Sequence, residues 1–80
     1  MNVIPFVHEG LGNSSYLVAF PDGRALLVDP DRTVQRYVDA ARARQWTIVA
    51  VLETHLHADF VSGAHEVAAA TGATLFLPHD

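Results

Sequence analysis

The sequence predicts an α/β fold, in which helices pack against a β-sheet. Runs of β-prone apolar residues alternate with segments of helical periodicity, in the order hairpin, helix, strand, helix, strand, which is typical of a layered α/β structure. The composition agrees, because 50% of the residues are hydrophobic and only 18% are charged, as in a piece of a larger α/β core. We therefore expect residues 1–80 to form one partial domain with an exposed sheet face.

The first part of the chain predicts three strands, two of which form a β-hairpin. Residues 3–7 are β-prone but contain Pro5, which cannot donate a hydrogen bond to a neighbouring strand, so an edge strand or a strand start is expected. Residues 14–20 and 25–28 are the predicted hairpin strands. The turn between them, residues 21–23, has a proline that presets φ and a glycine that tolerates positive φ.

An amphipathic helix is predicted after the hairpin. Residues 29–31 (Asp-Pro-Asp) end the strand and are expected to supply the helix N-cap. The apolar residues that then recur at helical spacing are Val34, Tyr37, Val38 and Ala41. The next segment, Thr47–Leu52, is apolar without polar alternation, which predicts a strand covered on both faces by helices.

A second helix and a last strand complete the predicted order. Residues Phe60, Ala64, Val67 and Thr71 recur at helical spacing. Ser62 can cap the start of this helix, and Gly72 is expected to end it in the left-handed conformation. Residues 74–77 form the last predicted strand, which Pro78 closes.

Composition and charge exclude several classes of function. The chain has no cysteine, so disulfides and cysteinyl metal sites are excluded, and any metal must be held by His, Asp or Glu. Nine acidic residues against five basic ones give a net charge of −4, and no basic stripe exists to bind nucleic acid. No apolar run approaches the roughly 18 residues of a membrane span, and no signal segment is visible. We expect a soluble cytoplasmic protein without membrane or nucleic-acid partners.

The densest group of chemically active residues directly follows the strand Thr47–Leu52. His55, His57 and Asp59 occupy positions i, i+2 and i+4, so on an extended backbone their side chains point to the same side. Imidazole and carboxylate donors suit Zn or non-haem Fe, whereas Mg or Ca would favour oxygen donors alone. We therefore predict all three as metal ligands. The competing interpretation is that His57 and Asp59 only bond to loop backbone.

Residues 53–63 (ETHLHADFVSG) resemble the metal motif of the metallo-β-lactamase superfamily, whose usual form is Thr-His-x-His-x-Asp-His. Asp59-Phe60 followed by Val-Ser-Gly is similar, more narrowly, to the persulfide dioxygenase branch, whose bacterial members are often fused to rhodanese domains. The resemblance extends through residues 11–18, 27–30 and 71–74. It implies that the chain is the N-terminal portion of the metallo-β-lactamase αββα sandwich. The fold is then incomplete, because the chain contains only about the first third of such a domain.

The resemblance also implies roles for the motif residues. His55 matches a ligand of the single Fe(II) that the persulfide dioxygenases hold with two histidines and one aspartate, and the other ligands would lie farther along the family's chain. In two-zinc members, His55 and His57 would bind one metal, and Asp59 and the next histidine the second. Phe60 replaces that histidine, which favours one metal. His57 and Asp59 then either bind the ion or orient its ligands, and Asp59 is predicted to be catalytic as well.

Several neighbouring residues carry weaker predictions. Asp29 resembles the family's aspartate that supports the metal loop from below, although capping the following helix is an equal alternative. Thr54 is expected to bond to backbone through its hydroxyl group. Tyr16 is expected in the core, His65 in solvent, and Trp46 packed against the sheet.

The function implied by the resemblance is the oxidation of glutathione persulfide by O2 to sulfite and glutathione, with Fe(II) as cofactor. The first alternative is a zinc-dependent hydrolase of the same fold, such as a thioesterase or lactamase, that uses a Zn(II)-bound hydroxide. The second is a truncated fragment without enzymatic activity. The expected partners are a small-molecule thiol or persulfide substrate and, in a complete protein, a rhodanese domain or further copies of the chain. The isolated 80 residues are predicted to be inactive.

Overall fold

The computed structural model describes residues 1–8, 13–54 and 63–77, and within them the predicted α/β fold is confirmed. Five strands and two helices follow in the order β1 (Asn2–His8), β2 (Asn13–Ala19), β3 (Arg24–Val28), α1 (Val34–Ala43), β4 (Thr47–Leu52), α2 (Ala64–Thr71) and β5 (Thr74–Phe76). The strands form one sheet in sequential order, antiparallel from β1 to β3 and parallel from β3 to β5.

The predicted edge strand and hairpin are both present. β1 lies at the edge of the sheet, where Pro5 is paired with Tyr16 of β2. In the hairpin turn, Gly23 has φ 91° and its N–H donates to the carbonyl oxygen of Phe20 at 3.0 Å. The turn therefore uses the positive φ that the sequence predicts for its glycine.

Both helices pack on the same face of the sheet. Tyr37 of α1 and Val67 of α2 are fully buried in one core cluster, together with strand residues such as Leu27. The expectation of helices on both faces of β4 is therefore wrong for the described part of the chain. The reason is topological, because successive right-handed crossovers that advance in one direction across a sheet bring their helices to one side.

The opposite face of the sheet carries exposed apolar side chains. Val3 is 54%, Tyr16 42% and Phe76 54% exposed, which confirms the exposed face that the composition predicts. The prediction of Tyr16 in the core is wrong. Side chains alternate along a strand, so the buried Ser15 and Leu17 face the helices and Tyr16 points away from them.

The helix ends differ in part from the sequence predictions. The N-cap of α1 is Thr33 rather than a residue of the 29–31 segment. Asp31 instead accepts a hydrogen bond from the Thr33 N–H at 2.9 Å, as Asp side chains do in turns. The N-cap of α2 is Gly63, and the predicted cap Ser62 lies outside the described residues, as does Phe60. The predicted left-handed end at Gly72 is confirmed, with φ 75°.

Two further predictions are confirmed. Trp46 is partly buried and packs against the core cluster, with the guanidinium carbon of Arg44 5.7 Å from its ring centroid. His65 is exposed on α2. Within residues 1–8, 13–54 and 63–77, no helix has the length and apolar character that crossing a membrane requires.

Candidate metal centre

The predicted metal-binding segment begins where two parallel strands end together. Val28 of β3 is paired with Leu52 of β4, and the N–H of Asp29 donates to the Leu52 carbonyl oxygen at 2.8 Å. Carboxyl ends of parallel strands are where α/β sheets usually carry their ligand sites. Two residues beyond Leu52, Thr54 directly precedes His55. The predicted ligands His55, His57 and Asp59 lie outside the described residues, so their role stays a prediction.

Asp29 supports this segment through Thr54. The Thr54 N–H donates to Asp29 Oδ1 at 2.7 Å, and the Thr54 hydroxyl donates to Asp29 Oδ2. Of the two roles proposed for Asp29, loop support is the one that the structure shows, since the α1 cap is Thr33. The expectation that the Thr54 hydroxyl bonds to backbone is wrong, because a carboxylate is the stronger acceptor within reach.

The backbone of Asp29 is as unusual as its side-chain contacts. Its φ is 52°, in the left-handed region that Asp and Asn visit more readily than other residues with a Cβ. In this conformation the Asp29 N–H donates to the Leu52 carbonyl oxygen, and the Asp29 carboxylate accepts from Thr54. Conformation and side chain at this position therefore act together to join the ends of β3 and β4.

The far end of the segment is held by the same turn. The N–H of Gly63 donates to the carbonyl oxygen of Pro30 at 3.0 Å. A Cβ at Gly63 would lie 1.9 Å from the carbonyl oxygen of Asp31, so this contact is possible only for glycine. We call residues 29–31 the Asp29 turn, which contacts both residues that flank the segment 55–62. Sequence reasoning did not assign this role to Gly63, because a glycine before a helix is also common as an ordinary N-cap residue.

A buried hydroxyl pair lies beneath the Asp29 turn. The Ser15 hydroxyl donates to the Asp29 carbonyl oxygen at 2.5 Å, and the Tyr37 hydroxyl oxygen lies 3.2 Å from Ser15 Oγ. Tyr37 Oη also accepts from the Asp31 N–H and donates to Asp31 Oδ1, both at 3.0 Å. Sequence reasoning missed this pair. The only available signal was that hydroxyls at buried positions require partners.

Burial keeps the Tyr37 hydroxyl neutral. Ser15 and Tyr37 both have 0% exposed surface, and burial raises the pKa of the Tyr37 hydroxyl above its ordinary value of 10.0. The hydroxyl therefore keeps its proton at neutral pH and can act as donor and acceptor at once.

The donor set and its support suit a transition metal. Two imidazoles and a carboxylate are donors that Fe(II) and Zn(II) accept, and the residue before the first of them is held at both its N–H and its hydroxyl group. A predicted ligand that directly follows a fixed residue would bind metal at a lower ordering cost. Within the described ranges, no cluster of three or more His, Asp or Glu side chains has the geometry of a metal site.

Comparison with known proteins decides the family. The model of the metallo-beta-lactamase superfamily matches residues 8–80, which is nearly the whole chain. The chain belongs to the metallo-beta-lactamase superfamily. Members of this superfamily bind metal ions, typically zinc or iron, and the fold described above corresponds to the N-terminal portion of the metallo-beta-lactamase fold.

Similar proteins include curated relatives and solved structures. A hydroxyacylglutathione hydrolase from Polaromonas sp. is 43% identical over 68 residues, which cover 84% of this chain and 26% of the relative. A metallo-beta-lactamase from Staphylococcus aureus superposes with a TM-score of 0.84 at 33% identity, covering 100% of this chain and 25% of that structure. ETHE1 from Myxococcus xanthus gives a TM-score of 0.86 at 25% identity, covering 94% and 34%. The chain therefore spans about a quarter of the length of its curated relatives.

Proposed function

We propose that the complete protein is a persulfide dioxygenase-like enzyme with one Fe(II) per site. The proposed reaction converts glutathione persulfide, O2 and water into glutathione, sulfite and two protons. The sulfane sulfur is oxidised and O2 is reduced. The observation that carries the proposal is Phe60, which follows Asp59 where the two-metal motif of this superfamily has a histidine.

The replacement matters because phenylalanine offers no donor atom to a metal. A second zinc would then lack a ligand, while a single iron needs only three protein ligands and keeps open positions for O2 and the persulfide. His55 is proposed as one of those ligands, with His57 and Asp59 in or next to the site. The remaining ligands would belong to the part of the family domain that these 80 residues do not include.

The described residues contribute support rather than reacting groups. The Asp29 carboxylate binds both donors of Thr54, which restricts where the backbone can deliver His55. We propose that Asp29 acts on the reaction only by holding this geometry. A misplaced His55 would weaken metal binding, because its donor atom would no longer lie where the ion is held by the other ligands.

A zinc-dependent hydrolase is the second candidate, and a specific observation favours it. The hydroxyacylglutathione hydrolase from Polaromonas sp. is 43% identical to this chain, and a second hydroxyacylglutathione hydrolase, from Erythrobacter litoralis, is 34% identical. In such an enzyme the zinc would lower the pKa of its bound water to about 7 and so supply hydroxide. Both candidates would act on a sulfur derivative of glutathione, a persulfide in one and a thioester in the other.

Metal analysis and two activity assays on the complete protein separate the candidates. We expect about one iron per chain, O2 uptake that depends on glutathione persulfide, and formation of sulfite. Zinc in place of iron, with hydrolysis of a hydroxyacylglutathione thioester and no O2 uptake, would establish the hydrolase and exclude the dioxygenase. A variant with His55→Ala serves as the control, because either reaction should be lost with the metal.

A further inference from the structure

We propose that Tyr37 is a positioning residue for the metal-binding segment 55–62. Its hydroxyl group holds the Asp29 turn, and the turn holds both ends of the segment. The proposal rests on the metal-dependent function proposed above, but on neither reaction in particular. It assigns a role in metal binding to a fully buried aromatic residue of α1, whose other buried residue, Ala41, belongs to the core cluster.

The Asp29 turn contacts the residues at both ends of the segment 55–62, Thr54 and Gly63. At the near end, the Asp29 carboxylate binds the N–H and hydroxyl of Thr54. At the far end, the Pro30 carbonyl oxygen accepts from the Gly63 N–H at 3.0 Å, and Asp31 is packed against Gly63. A shift of the turn therefore moves both ends of the segment together.

The Tyr37 hydroxyl holds the Asp29 turn from below. It accepts from the Asp31 N–H and donates to Asp31 Oδ1, so it contacts both backbone and side chain of the same residue. Ser15 Oγ lies 3.2 Å from Tyr37 Oη, and the Ser15 hydroxyl donates to the Asp29 carbonyl oxygen. Each hydroxyl has one proton, so Ser15 and Tyr37 bond directly to each other only when one of them turns its proton away from Asp29 or Asp31.

Tyr37 itself is held by packing on its ring. Its ring packs edge-to-face with Phe6 at a centroid distance of 4.9 Å, and the Arg36 guanidinium carbon lies 5.3 Å from the ring centroid. The residue is fully buried between α1 and the sheet. Because this side chain is immobilised, its hydroxyl group fixes the position of the turn relative to the core. Supporting residues act in the same way in metal sites.

Amide hydrogen exchange in the complete protein tests the contact without any metal. In Tyr37→Phe, we expect exchange at Thr54 and Gly63 to accelerate roughly tenfold, as for the loss of a buried hydrogen bond. Exchange at Thr47, whose N–H donates to Gly23 at the opposite end of the sheet, should stay unchanged. Equal acceleration at all three amides, or none, would overturn the proposal. Tyr16→Phe is the matched control, because it removes a hydroxyl from the exposed face.

Metal affinity tests the consequence. With Zn²⁺ as probe and a competing chelator, we expect the metal-free Tyr37→Phe protein to bind roughly tenfold more weakly than the wild type, and the Tyr16→Phe protein to bind equally well. Faster exchange at Thr54 and Gly63 with unchanged affinity would show a purely structural role and refute the proposal.

Ser15→Ala keeps the test decisive if Tyr37→Phe does not fold. This variant removes the donor to the Asp29 carbonyl oxygen but leaves the Tyr37 bonds to Asp31. We expect the same direction of change in exchange and affinity, with a smaller size. Unchanged values would again refute the proposal. Because neither measurement uses turnover, a failure of the dioxygenase assay alone leaves this inference intact.

Discussion

The Asp29 carboxylate receives both hydrogen-bond donors of Thr54, which lies 25 residues farther along the chain. One oxygen accepts the backbone N–H at 2.7 Å and the other accepts the hydroxyl. The end of β3 is thereby joined to the residue directly before His55. The residue from which the predicted metal-binding segment begins is consequently held by a residue outside the motif.

Removing the Thr54 hydroxyl should weaken this junction. Thr54→Val keeps the branched side chain but has no donor, and we expect a loss of about 1 kcal/mol in unfolding free energy, since the site is solvent-exposed. Thr54→Ser keeps the hydroxyl and should lose less than half of that. Urea denaturation of the complete protein measures both values. Equal stability of the valine and serine variants would contradict the role of the hydroxyl.

Two substitutions at Asp29 separate its side chain from its backbone conformation. Asn tolerates the left-handed φ of 52° and keeps one oxygen to accept the Thr54 N–H, so we expect a loss of about 1 kcal/mol. Ala lacks the acceptor and is strained at positive φ, so about 2 to 3 kcal/mol should be lost. Denaturation curves would show this order, and an alanine variant as stable as the asparagine variant would disprove it.

A methyl group at Gly63 should be far more costly than one at Gly72. The Cβ at Gly63 would collide with backbone atoms of Asp31, the nearest at 1.9 Å, whereas no atom of the residues that the structure describes comes within 4 Å of a Cβ at Gly72. Gly72→Ala carries only the strain of φ 75°, about 1 kcal/mol. Gly63→Ala requires the Asp29 turn to move, and we expect a loss of about 3 kcal/mol or more. It should also weaken Zn²⁺ binding, which Gly72→Ala should not.

Restoring a donor at position 60 should change metal stoichiometry. Phe60→His recreates the sequence pattern of the two-metal motif, so we expect more than one metal per chain in the complete protein when zinc is supplied. Phe60→Leu removes the ring without adding a donor and should leave the stoichiometry unchanged. Metal analysis after dialysis distinguishes them. An unaltered metal content in the histidine variant would count against Phe60 as the reason for a single metal.

The 80-residue chain on its own should self-associate and show negligible turnover. Val3, Tyr16 and Phe76 expose a large part of their side chains on one face of the sheet, and contiguous apolar faces drive association. Light scattering should reveal concentration-dependent oligomers, which Val3→Glu reduces. Ala69→Glu, on the exposed side of α2, is the matched control and should have no effect. A monodisperse monomer that oxidises persulfide at the rate of the complete protein would refute this prediction.

Local patterns determined most of the elements. The strand, turn and helix spacings predicted the hairpin, the edge strand with Pro5, the apolar face of α1 and the left-handed end at Gly72. These features depend on residues only a few positions apart, so periodicity and turn chemistry suffice to predict them. The family could also be predicted from the sequence, because the residues that carry the resemblance lie together in residues 53–63. The metal ligands within that stretch stay a prediction.

Only the tertiary structure decided how distant residues meet. The Asp29 carboxylate bonds to Thr54, Asp31 is packed against Gly63, and the Tyr37 hydroxyl bonds to Asp31 beneath the turn. The common face of α1 and α2, and therefore the exposure of Tyr16, also follows from the order of the strands in the sheet. Local propensity carries no information on these contacts, because they arise when crossovers bring separate strand ends to one edge of the sheet.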